Sequence, residues 1–236
     1  MVELSLNALR VVYLPGSHPE ASRVADYRKA YEMWCQVWTQ FFRDLPEARD
    51  LFADQFTRQE EIAALFHGEQ CIGMSFFRWV DFNLVDQTRD SYFKLWGKAD
   101  LESLLREGSM ICVPSFLTVS PDFRRDRCNF DVRRLVLGLV TKRFEASTGD
   151  AMPVVTRNAK GVNEAFYSMG APPIRKDVVN FHAEDLVDLV VTYRSTIKYP
   201  VDEPFRGVLE RTWDSRTFAA QERPHLFRKA REFKAA

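Results

Sequence analysis

The apolar positions of this chain switch between two periods, and the switches mark its elements. Leu9-Arg10-Val11-Val12-Tyr13-Leu14 is a short run centred on two β-branched residues and ended by Pro15-Gly16, which predicts a strand and a turn. Over residues 21–45 the period becomes helical. Tyr31, Trp34, Trp38, Phe41, Phe42 and Leu45 fall at i, i+3 and i+4 spacing on one face, and Pro46 ends the run. Gly68-Glu69 then separates two apolar runs, the second spanning residues 71–80, which is the pattern of a hairpin. Residues 81–107 are polar and irregular, with one helix predicted around 101–106. Residues 110–119 are almost unbroken in apolar character, as in a strand in the middle of a sheet. Pro114 inside that run cannot complete a ladder, so a bulge or splay is expected there. Asn129 is the expected N-cap of a helix reaching Phe144, with Asp131 in its first turn and Val132, Leu135, Val136, Leu139 and Val140 on its apolar face. A strand at 152–156, a short helix at 161–169 and strands at 177–181 and 187–193 follow. After Pro200 the pattern is helical over 206–213 and 216–236.

Composition narrows this picture. With 236 residues the chain suits one α/β domain with terminal additions, here residues 1–198 with a helical extension, 199–236, docked by Phe205, Leu209, Trp213 and Phe218. A hydrophobic fraction of 46% with 19 Phe suits either a dense core or a greasy ligand channel. Lys+Arg and Asp+Glu balance at 33 each, so no global field draws the protein to nucleic acid or membrane, and only local clusters can do so. The four cysteines are scattered without a CxxC pair and no two histidines stand at ligand spacing. No zinc site or disulfide framework is signalled, and a reducing, cytoplasmic home is expected. The N-terminal residues read as a strand rather than a signal peptide, and no apolar stretch has the length of a membrane-spanning helix.

The densest candidate chemistry lies between the strand at 110–119 and the following helix. The turn Val119-Ser120-Pro121-Asp122-Phe123-Arg124-Arg125-Asp126-Arg127-Cys128-Asn129 would present unpaired N–H groups and the positive end of a helix at one spot, an anion site suited to phosphate. Arg124, Arg125 and Arg127, backed by Arg133, Arg134, Lys142 and Arg143, can fork onto phosphate or carboxylate oxygens. The plainer alternative is a solvated basic face paired with Asp122, Asp126 and Asp131.

The order of elements, with these residues, resembles the GNAT (N-acetyltransferase-like) superfamily. Val119, Pro121, Phe123 and Arg124 match its donor-binding Val-x-Pro-x-aromatic-Arg motif, while Arg127 and Asn129 stand where the family carries glycines. Asn163-Glu164-Ala165-Phe166-Tyr167-Ser168-Met169-Gly170 is similar to its C-terminal signature, with the tyrosine displaced by one position. The resemblance implies an α/β (α+β) fold whose mixed central sheet has a splayed strand and flanking helices. It implies a donor that is acyl-CoA, or acyl-phosphopantetheine on an acyl carrier protein. Its thioester arm would lie along Val113, Ser115, Phe116, Leu117 and Val119, and its phosphates over Arg124, Arg125, Arg127, Cys128 and Asn129, with Asn158 and Asn163 as further contacts. Tyr167 is then the candidate acid for the departing thiolate, a packed tyrosine being the plainer reading. Glu107 is the candidate base, with Asp81, His67 and His182 as alternatives. The acceptor would be an amine on a small molecule or peptide, attacking the thioester directly. Residues 54–73 running into Ser75-Phe76-Phe77-Arg78 look similar to the branch containing N-acyl amino acid synthases and acyl-homoserine lactone synthases. The stripe Tyr31, Trp34, Trp38, Phe41, Phe42 is expected to be core, or within such a fold a wall for a long or aromatic acyl chain. A non-catalytic GNAT-like module that binds a thioester or a partner is the alternative. A nucleic-acid binder is opposed by the neutral charge.

Overall fold

The computed structural model describes residues 2–45, 49–158, 161–180, 185–199 and 202–219. In chain order the elements are β1 (Leu9–Pro15), α1 (Val24–Arg43), α2 (Asp54–Thr57), β2 (Glu61–His67), β3 (Gln70–Asp81), α3 (Lys98–Leu104) and β4 (Met110–Val119). They continue with α4 (Val132–Ala146), β5 (Ala151–Arg157), α5 (Val162–Ser168), β6 (Pro173–Asn180), β7 (Asp185–Tyr193), α6 (Phe205–Asp214) and β8 (Thr217–Phe218). The strands form one mixed sheet in the order β6-β7-β5-β4-β3-β2-β1-β8.

Both faces of this sheet are covered, which is why its central strands read as continuous apolar runs. Along β1, Val11 and Tyr13 join the cluster under α4 and α6, while Val12 and Leu14 join the cluster under α1. Along β4, Cys112 points to the α4 face and its neighbours Ile111 and Val113 to the opposite face, where Leu104 of α3 meets them. Gly68 turns the β2–β3 hairpin at φ 55, a left-handed geometry that glycine adopts without steric cost. Gly138 in α4 lets α6 close in, since a Cβ there would stand 2.9 Å from Leu209 Cδ1. Among the described residues no helix is long and apolar enough to cross a membrane.

Three expectations are corrected. The helix α4 begins at Val132 and is capped by Asp131, which accepts from the Arg134 N–H at 3.0 Å. Asn129 cannot cap it, because its Oδ1 accepts from Leu4 N–H and its own N–H donates to Val2 O. Thr217 and Phe218 do not continue a helix but pair parallel to β1, with Phe218 stacked on Tyr13 at 4.9 Å. Residues 220–236 of the predicted final helix lie outside the described residues. Finally, the bulge in β4 is not at Pro114, which stays in register opposite Phe77, but at Phe116–Leu117, where the pairing to β3 slips.

Candidate active site

Strands β4 and β5 start side by side and then part. Ile111 pairs with Ala151, and Asp150 N–H donates to Met110 O at 2.6 Å, yet no later residue of β4 registers with β5 among the described residues. Meanwhile β4 continues along β3 to Val119, and β5 along β7 to Arg157. A wedge therefore opens toward the C-terminal ends of both strands.

Backbone alternation decides what faces the wedge. Phe77 O accepts from Glu60 N–H on the β2 side, so Phe77 and Pro114 form a pair with no hydrogen bond between them. Pro114 thus costs β3 nothing, and toward β5 it offers no N–H, which helps the strands to part. Val113 and Ser115, on either side of it, turn their N–H groups to β3. An arm lying in the wedge would therefore not meet those two N–H groups, although the resemblance places it along Val113 and Ser115. Phe116, at φ 51, is the first residue whose N–H faces the opening. Val119 does so too, because the next residue, Ser120, donates to Ile72 O of β3. The side chain of Leu117 packs toward the α4 face.

The turn between β4 and α4 is closed on itself. Arg127 and Cys128 N–H both donate to Arg124 O, at 2.8 and 2.9 Å, while Val2 N–H donates to Arg127 O at 2.6 Å. With the Asn129–Val2 bond, the amides of Arg127, Cys128 and Asn129, three of those expected to cradle phosphate, are already engaged. The physical reason is the missing glycines: the chain coils into a hydrogen-bonded turn instead of opening around a ligand. Cys128 is buried there, against the core. The basic face shrinks as well. Arg127 lies 3.8 Å from Asp122, Arg134 pairs with Asp202, Lys142 with Glu210 at 2.8 Å, and Arg143 is fully buried on Glu61. Arg124 and Arg125 are exposed, with no acidic partner within ion-pair distance among the described residues.

Three predicted residues converge on one that the sequence reading missed. Asp188 of β7, 2% exposed, accepts from Asn163 Nδ2 at 3.0 Å, Asn158 Nδ2 at 3.1 Å, Asp177 N–H at 2.8 Å and the Tyr167 hydroxyl. Burial pushes the Asp188 carboxyl up, but the Tyr167, Asp177 and asparagine hydrogen bonds outweigh it and bring the group from 3.8 down to about 2. Burial, then the Asp188 carboxylate, pushes the Tyr167 hydroxyl well above the usual tyrosine range. The cluster stands at the end of β5, on the far side of the wedge from β4. Its signal in the sequence was an acid inside the apolar run Val187-Asp188-Leu189-Val190-Val191.

This cluster gives a pH prediction. A folded carboxyl depressed below its unfolded value contributes stability that is fully present above about pH 4 and is lost as the pH falls through about 2, here about 2 kcal/mol. Urea unfolding across this acid range should fall more steeply for the wild type than for Asp188→Asn. Equal slopes would reject the hydrogen-bonded anion.

The base expected at Glu107 is misplaced. It precedes β4 at the closed end of the wedge, about 20 Å along the strand from Phe116, where its carboxylate accepts from Ser195 Oγ. Asp81 pairs with Met110 at that same end. His67 accepts from Ser5 N–H at 3.3 Å beside the turn, and His182 lies outside the described residues.

Neither a family model nor a curated protein sequence matches the chain. Solved structures do. A CoA-dependent acyl-homoserine lactone synthase, BjaI, solved with SAM and isopentyl-CoA, superposes with a TM-score of 0.55 at 8% identity, covering 89% of this chain and 93% of that one. An N-acetyltransferase from Staphylococcus aureus Mu50 superposes with a TM-score of 0.50 at 6% identity, covering 79% and 98%. This chain has the GNAT fold. At such identities the likeness lies in the order and path of the elements and not in shared side chains.

Proposed function

We propose that this chain transfers an acyl group from a phosphopantetheine thioester, on coenzyme A or an acyl carrier protein, to an amine on a small molecule or peptide. The observation that carries this reading is the wedge between β4 and β5, with strand N–H groups turned into it and the exposed Arg124 and Arg125 in the turn that follows β4. An extended pantetheine arm can lie in such a gap as an added strand, its amides meeting the free backbone groups. A thioester carbonyl near the Phe116 N–H would meet a fixed donor as negative charge develops on its oxygen. The amine attacks that carbon, the C–N bond forms, the C–S bond breaks, and the amine proton passes to solvent as the thiolate leaves. Cys112 and Cys128 are not nucleophiles in this scheme: both are buried, and burial pushes the Cys112 thiol up. We assign Tyr167 to the wall of the site and not to proton donation, because its hydroxyl is committed to Asp188.

One observation favours a second reading, a GNAT-like module that binds a thioester or partner without turnover: the amides of Arg127, Cys128 and Asn129 are already engaged within the turn. Both readings meet in one experiment. The protein is incubated with acetyl-CoA and with an acyl carrier protein thioester, each with a panel of amines, while free thiol and acylated amine are followed. Amine-dependent thiol release is the expected result. Bound CoA with no thioester consumed selects the binding module, and no binding of either donor rejects both.

A further inference from the structure

We propose that Phe116 and Trp38 set the length of the acyl group this site accepts and restrict it to short chains, an inference that rests on the acyl-transfer reading above. The wedge connects two different faces of the sheet. The arginine turn belongs to the α4 face, where Phe123, Cys128 and Val132 anchor it. An arm entering from that turn and passing between β4 and β5 delivers its acyl end to the α1 face.

The α1 face is not open at that point. The bulge in β4 breaks alternation, so that Leu117 joins the α4 face while the Phe116 ring packs with α1. Its centroid stands 4.8 Å from Trp38, 5.2 Å from Phe76 and 5.8 Å from Trp34. A phenylalanine at φ 51 is held in a backbone region that side chains of its kind rarely occupy, so its surroundings must enforce the position. They do so through a closed circuit. The Trp38 indole N–H donates to Thr118 Oγ1 at 2.8 Å, and the Thr118 hydroxyl donates to Phe116 O at 2.6 Å. The ring that covers the bulge is thus tethered to the bulge's own backbone. Phe41, 5.0 Å from Trp38, carries the wall on to β5, where the Arg157 guanidinium lies over its ring at 5.0 Å.

Of the two readings of the stripe, this arrangement favours core packing over a wall for a long or aromatic acyl chain. The rings pack against each other and against β4, and a long acyl chain would have to displace them.

The test is a length profile. Dissociation constants and amine acylation rates are measured for CoA and for straight-chain acyl-CoA from acetyl to decanoyl, using wild type, Phe116→Ala, Phe116→Leu and Thr118→Val. The wild type is expected to favour acetyl to butyryl over octanoyl by about tenfold or more. Phe116→Ala should move the preference toward octanoyl by a similar factor, Phe116→Leu by less, and Thr118→Val should broaden the profile with every ring retained. Phe116→Leu keeps the question open to experiment if the alanine variant does not fold. A wild type that takes octanoyl as well as acetyl overturns the filter, as does a folded Phe116 variant weakened equally at all lengths. If CoA itself is not bound, the donor reading falls and takes this inference with it; if CoA binds and the profile is flat, only the filter falls.

Discussion

Glu61→Ala is expected to lose about 3–5 kcal/mol of unfolding free energy, the range for removing one partner of a buried ion pair. The carboxylate receives Arg143 Nε at 2.6 Å and Nη2 at 2.9 Å, with side-chain exposures of 4% and 0%. Around the guanidinium stand the rings of Trp79, Phe218 and Tyr13, at 5.0, 5.6 and 5.9 Å. Burial works against the arginine's charge, but the facing carboxylate raises its pKa, and a guanidinium cannot shed its proton to escape. Taking away Glu61 therefore removes the carboxylate that faces a buried charge between α4 and the sheet. Set against a total stability of about 5–15 kcal/mol for a domain, the loss is large. Denaturant unfolding monitored by tryptophan fluorescence should show a lower midpoint at an unchanged slope. The double variant Glu61→Leu with Arg143→Met should recover most of the loss, since a well-packed apolar pair costs no desolvation of charge. A single-variant loss under about 1 kcal/mol would show that the pair is not holding α4 to β2.

The second large effect is on donor binding. Arg124→Ala combined with Arg125→Ala is expected to weaken CoA binding by about a hundredfold or more, because hydrogen bonds between charged partners contribute about 1.5–3 kcal/mol each. With the amides of Arg127, Cys128 and Asn129 already engaged, and the Arg127 side chain beside Asp122 and Asp126, these two exposed side chains are the cations of the turn best able to hold phosphate. Neither holds the fold through an acidic partner among the described residues, so stability should stay within about 0.5 kcal/mol of wild type. Titration calorimetry with CoA and with pantetheine separates the effects. CoA binding should weaken and become less sensitive to salt, whereas pantetheine, which carries no phosphate, should bind the variant and the wild type alike. Unchanged CoA affinity in the folded double variant would discard the phosphate assignment.

Much of the architecture could be read from residue pattern alone, because each element satisfies a local rule. Period-two and unbroken apolar runs gave strands, the spacing from Tyr31 to Phe42 gave α1, and Gly68-Glu69 gave the hairpin. The proline in β4 pointed to a disturbed strand, and a disturbed strand is what the structure has, displaced to Phe116 because Pro114 falls where β3 needs no hydrogen bond. The site was less legible. Asn158, Asn163 and Tyr167 drew notice individually, but their common partner Asp188 lies on a strand 21 residues beyond Tyr167, and no local rule links them. Arg143 looked like part of a basic face because spacing on a helix does not reveal which side meets the sheet.

What the sequence determined by itself was the succession of strands and helices, since hydrogen-bond periodicity and apolar spacing act between near neighbours. Which groups are spent and which are free was decided only by the tertiary structure. Val2 and Leu4 reach across the chain to occupy Asn129, Glu61 neutralises Arg143 from another strand, and Phe116 faces α1 because a slip in register turned it there. These outcomes depend on contacts between residues far apart in the chain, where desolvation and close packing, and not local propensity, set the result.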